Sequence, residues 1–394
     1  MTRWRNENLL RSIAIVFIFF CVVFSLFTLF RILLLYRLLD FGVYYQAVEK
    51  IINGCNPYVS SVGEMVFIYP PTALLFLLPL HFFPISIAED LWTLTSFIAF
   101  NLSIYFLLKS VMKKVKVLWF LIIYSFFVLS FPIKFSFGMG QINMFILFLL
   151  CLTFYFYTRE KDKFSATFLS IAISLKLAPA ILLFFFARKK KWKVVTFTLF
   201  IIALLHSVVQ LLSKQHLLSY YYLKVFPSIS LIGNSAYYNQ AFTGFLARMN
   251  LSDNTSFLLN YLLLIILLIF TYRIINTRRM KPENELIQFG MLIVVMLIAG
   301  GLTWQHHLVL LVIPYIGVIV SVFPRLKIYL KHKVFIIFAI LLSCFLFSIN
   351  LKNPFIFSTG ALVLVQSHGL YSMLILFGVL WYINSNTILV RNKR

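Results

Sequence analysis

Long apolar runs separated by short clusters of Lys and Arg set the pattern of this chain. A helix needs about 20 apolar residues to cross a bilayer. Runs near that length fall at 12–35, 87–108, 115–132, 139–157, 194–212, 256–275, 286–302, 306–323, 334–350 and 361–383. They are continuous rather than alternating, so the pattern predicts membrane helices and not the strands of a barrel. Two long outer loops interrupt them, at 36–86 and 213–256. The first runs through Asp40, the turn signal Asn53-Gly54-Cys55-Asn56-Pro57 and Tyr69-Pro70-Pro71, and on to Pro79 and Pro84. Most connections are short, so this stretch reads as an active-site loop. Shorter outer segments are expected at Phe131–Gly140, Thr303–His307 and Leu351–Thr359.

One apolar segment resists simple counting. Residues 164–186 are long enough to cross once, yet positive clusters flank both ends. Two half-helices meeting near Ser174-Leu175-Lys176-Leu177-Ala178-Pro179 would keep both clusters on one side. Such breaks occur at membrane depth only where they line a protein cavity. The expected architecture is an all-α polytopic membrane protein of about 10–12 membrane helices, including this half-helix hairpin. The whole of 1–394 reads as one domain.

Composition agrees with this pattern. Of the 394 residues 62% are hydrophobic and only 12% are charged, too apolar for a water-soluble fold. The formal charge of +24 comes from clusters between the runs, not from a basic face, which argues against a nucleic-acid partner. Placing Arg3–Arg11 in the cytoplasm puts 26 of the 35 Lys and Arg residues inside under the positive-inside rule. Both termini are then cytoplasmic and the long loops extracytoplasmic. The four cysteines form no CxxC, so neither a disulfide framework nor a zinc site is expected.

Acidic residues are scarce. Glu160, Asp162, Glu283 and Glu285 share loops with cytoplasmic bases and read as their solvated partners. Glu89 and Asp90 begin a span, where a helix N-terminus favours carboxylates. Asp40 lies just past the first span, between Leu39 and Phe41, where its surroundings could tune a general base. A salt bridge to Arg31 or Arg37 is the plain alternative. Lys176 is a lone base in an apolar run, a position that is costly and usually functional, with snorkelling as its alternative. Arg248 follows Asn234, Asn239 and Gln240 in the second long loop; Arg can hold a phosphate in bidentate fashion, and a generic external arginine is the commoner alternative. His306 and His307 follow Trp304-Gln305 at an outer turn; their spacing suits hydrogen bonding to a sugar or phosphate better than zinc.

Taken together, these stretches resemble glycosyltransferase family 87, the polyprenyl-phosphate-mannose type. The resemblance rests on Asp40-Phe41 with Tyr44-Tyr45, on Gly54 with Asn56-Pro57-Tyr58, and on Phe67 with Tyr69-Pro70-Pro71. It continues through Gly140-Gln141-Ile142-Asn143, Leu175-Lys176-Leu177-Ala178-Pro179, Asn239-Gln240 with Arg248, and Trp304-Gln305-His306-His307. Ala178 stands where such motifs often have Thr. The resemblance implies a C-type glycosyltransferase fold in the plasma membrane, with its active site extracytoplasmic and Asp40 as general base. It also implies transfer of a hexose, with mannose the expectation for this type, from a polyprenyl-phosphate donor to an envelope glycolipid or glycan, with inversion. Tyr44, Tyr69, Gln141, Asn143, Lys176, Asn239, Gln240, Arg248, His306 and His307 are the implied substrate-binding residues. No metal or other cofactor is expected, and the remaining partner is membrane lipid. Rival classes are a flippase or transporter of lipid-linked sugar and a non-catalytic envelope-assembly protein.

Overall fold

A computed structural model of the chain describes residues 2–35, 37–60, 65–213, 216–232, 234–322, 333–351 and 360–392. Residues 325–332 of one basic cluster, 352–359 of the last outer segment, Lys214, and Lys393 and Arg394 of the tail lie outside these. The described residues are mainly helical. In chain order the helices are α1 (Thr2–Leu35), α2 (Leu39–Ile52), α3 (Pro71–Leu77), α4 (Ile85–Val111), α5 (Val117–Val128) and α6 (Phe131–Met139). There follow α7 (Asn143–Thr158), α8 (Asp162–Leu175), α9 (Leu182–Arg188), α10 (Trp192–Leu212) and the short α11 (Leu217–Tyr220) and α12 (Phe226–Ser228). The remainder are α13 (Phe242–Arg248), α14 (Asp253–Ile274), α15 (Pro282–Ile298), α16 (Val312–Val322), α17 (Lys333–Ser348) and α18 (His368–Asn392). Among the described residues, six segments are long and apolar enough to cross a membrane, or seven with the bent α5–α6 pair counted as one. The chain is therefore a multi-pass, all-α membrane protein.

Helix α15 is its axis. Every residue from Asn284 to Ile298 is buried, as expected of a helix apolar on all sides. By contrast, α1, α10 and α14 leave most of their apolar surface outward, where lipid and not water is the solvent. Aromatic packing fills the interior between them, for example Phe154 and Phe185 on Phe289 with ring centroids 5.2 and 5.4 Å apart.

The 164–186 segment is a hairpin of two half-helices. α8 stops at Leu175, Lys176 is extended (φ −156°, ψ 124°), and a 3-10 turn at Ala178–Ile181 leads into α9. Pro179 suits the first turn of that segment because its fixed φ is helical and its missing N–H is not needed there. The two ends meet: Lys191 Nζ lies 3.1 Å from Asp162 Oδ1. With α8 rising about 1.5 Å per residue, Lys176 stands some ~20 Å from that ion pair. Helix α7 runs alongside, from Asn143 near the tip to Tyr157, whose ring packs on Phe185 and Phe186 near the base.

The segment expected at 131–140 forms helix α6, bent by 74° from α5, while the solvated placement expected of Glu285 needs correction. Pro132 supplies a helix-compatible first turn, and Gly140 ends the helix in the left-handed conformation at φ 69°. Glu285 is not solvated. It and Lys189 form a 3.1 Å ion pair with both side chains almost fully buried, and Glu285 Oε1 also accepts the Met280 N–H at 3.0 Å. A base in the 188–193 cluster finds this buried acid because the hairpin returns its chain to the foot of α15. The two long loops, finally, are largely helical, holding α2 and α3 in the first and α11 to α13 in the second.

Two measurements test this part of the fold. Single cysteines at Lys163 and Lys193 should react with an impermeant maleimide from the same side of sealed vesicles, whereas a single crossing would separate them. Lys189→Met strands a buried carboxylate and should cost about 3–5 kcal/mol; thermal unfolding in detergent would read this as a markedly lowered midpoint.

Candidate active site

Asp40 is held on the first turn of α2 by its neighbours. Leu38, buried, donates its backbone N–H to Glu89 Oε1 at the start of α4, at 3.2 Å. Phe41, fully buried, packs on Trp92 with ring centroids 5.4 Å apart. The carboxylate between them is half-buried, and its Oδ2 accepts a hydrogen bond from Gln141 Nε2. Burial pushes the Asp40 pKa up to about 6, against the opposing pull of the Gln141 hydrogen bond and the nearby positive charge of Lys176.

The turn between α6 and α7 delivers Gln141. Gly140 takes the left-handed conformation there, and its carbonyl accepts Trp92 Nε1–H at 2.8 Å. A Cβ at this position would lie 2.8 Å from Cβ of both Leu38 and Phe41, so only glycine lets the turn approach the backbone that carries Asp40. Gln141 Oε1 then accepts from Asn143 Nδ2 at 3.1 Å, from Tyr69 OH at 3.4 Å and from Tyr44 OH at 3.5 Å. The two tyrosine hydroxyls are 2.9 Å apart.

From Asn143 the network reaches the hairpin tip. Lys176 Nζ donates to Asn143 Oδ1 at 3.2 Å, and Asn143 Nδ2 also reaches the carbonyl of His306 at 3.4 Å. The tip is fastened to the first outer loop by Thr72 Oγ1, which donates to the Ser174 carbonyl at 2.8 Å. That bond satisfies one of the carbonyls left open at the end of α8. Asp40, Tyr44, Tyr69, Gln141, Asn143 and Lys176 thus share one hydrogen-bonded cluster drawn from five chain segments.

The imidazoles of His306 and His307 meet edge to face, 4.6 Å between ring centroids and 74° between planes, and the His306 ring lies 5.4 Å from Phe135. His307 Nδ1 accepts the Trp304 N–H at 3.1 Å, closing the first turn of the 3-10 segment Gln305–Leu311. The other three expected residues do structural work. Asn239 Oδ1 accepts from the N–H groups of Ala241 and Thr303 at 3.1 and 3.3 Å, and Asn239 pairs with Trp304 in an isolated bridge. Gln240 donates to the carbonyls of Tyr237 and Gln366 at 2.7 and 2.9 Å and accepts from Gly369 N–H at 2.8 Å. Arg248 Nη1 donates to the carbonyls of Ala236 and Asn239 at 3.0 and 2.9 Å, and Nη2 to Ser367 Oγ at 2.7 Å. These hydrogen bonds tie the second outer loop to the Trp304 turn and to the start of α18, not to the Asp40 cluster.

A family model described as glycosyltransferase family 87 matches residues 67–314. The chain belongs to glycosyltransferase family 87. It is a membrane glycosyltransferase, and the matched segment holds every cluster member except Asp40 and Tyr44, which precede it on α2. No curated protein matches the chain.

Three residues of this family 87 site escape a reading of sequence alone. Glu89 and Trp92 hold Leu38 and Gly140 from the first two turns of α4, and Thr72 fastens the hairpin. The only signals were an acid and a tryptophan at the start of a span, which membrane helices commonly carry, and a Thr after a Pro-Pro turn. Gly140→Ala tests the close approach. It should lower thermal stability by about 1–3 kcal/mol through overpacking and left-handed strain, and should lower transfer further by displacing Asp40.

Proposed function

We propose that the protein transfers a hexose from a polyprenyl-phosphate donor to an envelope glycolipid or glycan acceptor, with inversion at the anomeric carbon. Mannose is the sugar the family resemblance favours. The observation that carries this reading is the placement of a half-buried carboxylate and a lysine on one hydrogen-bonded cluster, joined through Gln141 and Asn143. In the proposed step the acceptor hydroxyl attacks the anomeric carbon as Asp40 takes its proton. The bond from that carbon to the phosphate oxygen breaks, and polyprenyl phosphate leaves. The step uses no metal or other cofactor.

Charge develops on the departing phosphate, so a fixed positive group beside it speeds the reaction. Lys176 suits this role better than Arg248. Its ammonium can donate three hydrogen bonds, and one goes to Asn143. Arg248 lies on the second long loop, where its recorded hydrogen bonds go to Ala236, Asn239 and Ser367 and none to the Asp40 cluster. We assign Arg248, Asn239 and Gln240 to bracing the outer loop, and Tyr44 and Tyr69 to the wall of the sugar site. His306 and His307 remain within reach of the donor side, since the His306 carbonyl joins the same cluster.

Orientation follows from charge. The ion pairs Lys191–Asp162, Lys189–Glu285 and Arg279–Glu160 gather three basic clusters at the hairpin base, away from Asp40. The positive-inside rule makes that end cytoplasmic, which supports an extracytoplasmic active site, cytoplasmic termini and, for an envelope acceptor, the plasma membrane. The chain then acts as one transferase domain.

A base works only when ionised, and Asp40 holds its proton below about pH 6. Transfer should therefore rise about tenfold per pH unit below that value and level off above it. Asp40→Asn should lower the rate by about 10²–10⁴-fold with the fold intact. The check is turnover of radiolabelled polyprenyl-phosphate mannose with membrane glycolipid as acceptor, and wild-type rates in a folded Asp40→Asn variant would defeat the assignment.

A further inference from the structure

The cluster between Lys176 and Asp40 has a direction. An ammonium has donors only and an ionised carboxylate acceptors only, so the two ends dictate how each amide between them must face. Lys176 Nζ takes Asn143 Oδ1, which leaves Asn143 Nδ2 to face Gln141. Gln141 must then turn its oxygen toward Asn143, where Tyr44 and Tyr69 also donate to it, and its nitrogen toward Asp40. A flipped Gln141 would set its oxygen against the carboxylate and its NH2 against that of Asn143. The amide is locked from both sides.

We propose that Gln141 is a positioning residue for the general base: it engages Asp40 Oδ2 and so reserves Oδ1 for the acceptor hydroxyl. The proton taken from the acceptor goes to Oδ1 while the Gln141 hydrogen bond to Oδ2 stays in place through the reaction. The surroundings support a fixed and not an adaptable amide. Gln141 is buried, its backbone N–H is donated to the Ser136 carbonyl at 2.9 Å, and the Gly140 turn before it packs directly on Leu38 and Phe41 on either side of the base. Other ionisable groups facing the carboxylate's neighbourhood are Tyr44 on its own helix, Tyr69 from the first loop and Lys176 from the hairpin tip. Gln141 touches two of these and stands one amide from the third. The sequence reading grouped Gln141 with the donor ligands; here its polar atoms are occupied by the protein.

This inference rests on the reading of Asp40 as the base, and its test separates the two. Aspartate carrying an isotope label at the side-chain carboxyl would be incorporated into the full-length protein in lipid nanodiscs. The protonation of Asp40 would then be followed by infrared titration, with Asp40→Asn identifying its band. Gln141→Met is close in shape and lacks the donor; Gln141→Glu keeps the shape and sets a second carboxyl beside the first, without adding to the labelled signal. Loss of a hydrogen bond to a charged group should raise the Asp40 midpoint by about one to two pH units in Gln141→Met, and like-charge repulsion should raise it in Gln141→Glu. Transfer at neutral pH should fall roughly 10- to 100-fold in Gln141→Met with the donor KM unchanged. An unmoved midpoint in either folded variant overturns the proposal, as does a raised donor KM at an unchanged maximal rate, which would make Gln141 a substrate ligand. Wild-type transfer in Asp40→Asn would instead remove the base assignment and leave the titration result standing.

Discussion

The hydrogen bond between Gln141 and Asp40 is the interaction on which the arrangement around the candidate site depends. An ionised carboxylate beside hydrocarbon is strongly disfavoured unless hydrogen bonds or an opposite charge offset its lost hydration. Lys176 faces the same problem from the other side. A direct ion pair would relieve both but would leave neither free for a substrate. Two amides in series relieve them differently, because each presents an acceptor to the cation side and a donor to the anion side. The tight turn at Gly140, the Thr72 fastening and the break in the hairpin all bring those amides into line.

Much of the architecture was legible because bilayer thickness and charge asymmetry act on composition alone. Positive clusters at both ends of 164–186 were enough to suggest a hairpin, since a single crossing would place one of them on the wrong side. Asp40 stood out through the scarcity of acids. What stayed hidden depends on partners far away in the chain. The hydrogen bonds of Arg248 to Ala236, Asn239 and Ser367 join residues up to 119 positions apart, which no local pattern announces. Glu285 reads as a surface acid until the returning hairpin sets Lys189 on it.

The end of the molecule that carries Asp40 divides into the hydrogen-bonded cluster, the reactive part under the proposed function, and a brace. The reactive part draws on the first loop, the α6–α7 turn and the hairpin tip. The brace is built from Asn239, Gln240 and Arg248, whose hydrogen bonds span the second loop, the Trp304 turn and the start of α18. A hydrogen bond from Asn143 to the carbonyl of His306 joins them, as do ring contacts of Tyr58 with Tyr220 and Tyr221 and of Phe135 with Tyr238. The family match spans both parts, consistent with a site that needs its second wall held as firmly as its first.

The re-entrant hairpin also acts as a ruler. Its base is pinned by the Lys191–Asp162 and Lys189–Glu285 pairs, so the reach of Lys176 toward the site equals the length of α8. One residue more or fewer in that half-helix would shift the tip by about 1.5 Å and turn it by roughly a quarter of a revolution, carrying the ammonium off Asn143. Substitution on the outward surface of such a helix is easily absorbed, whereas a change of length is not. Insertions and deletions in this protein should therefore have accumulated in its loops and spared the stretch between Asp162 and Lys176.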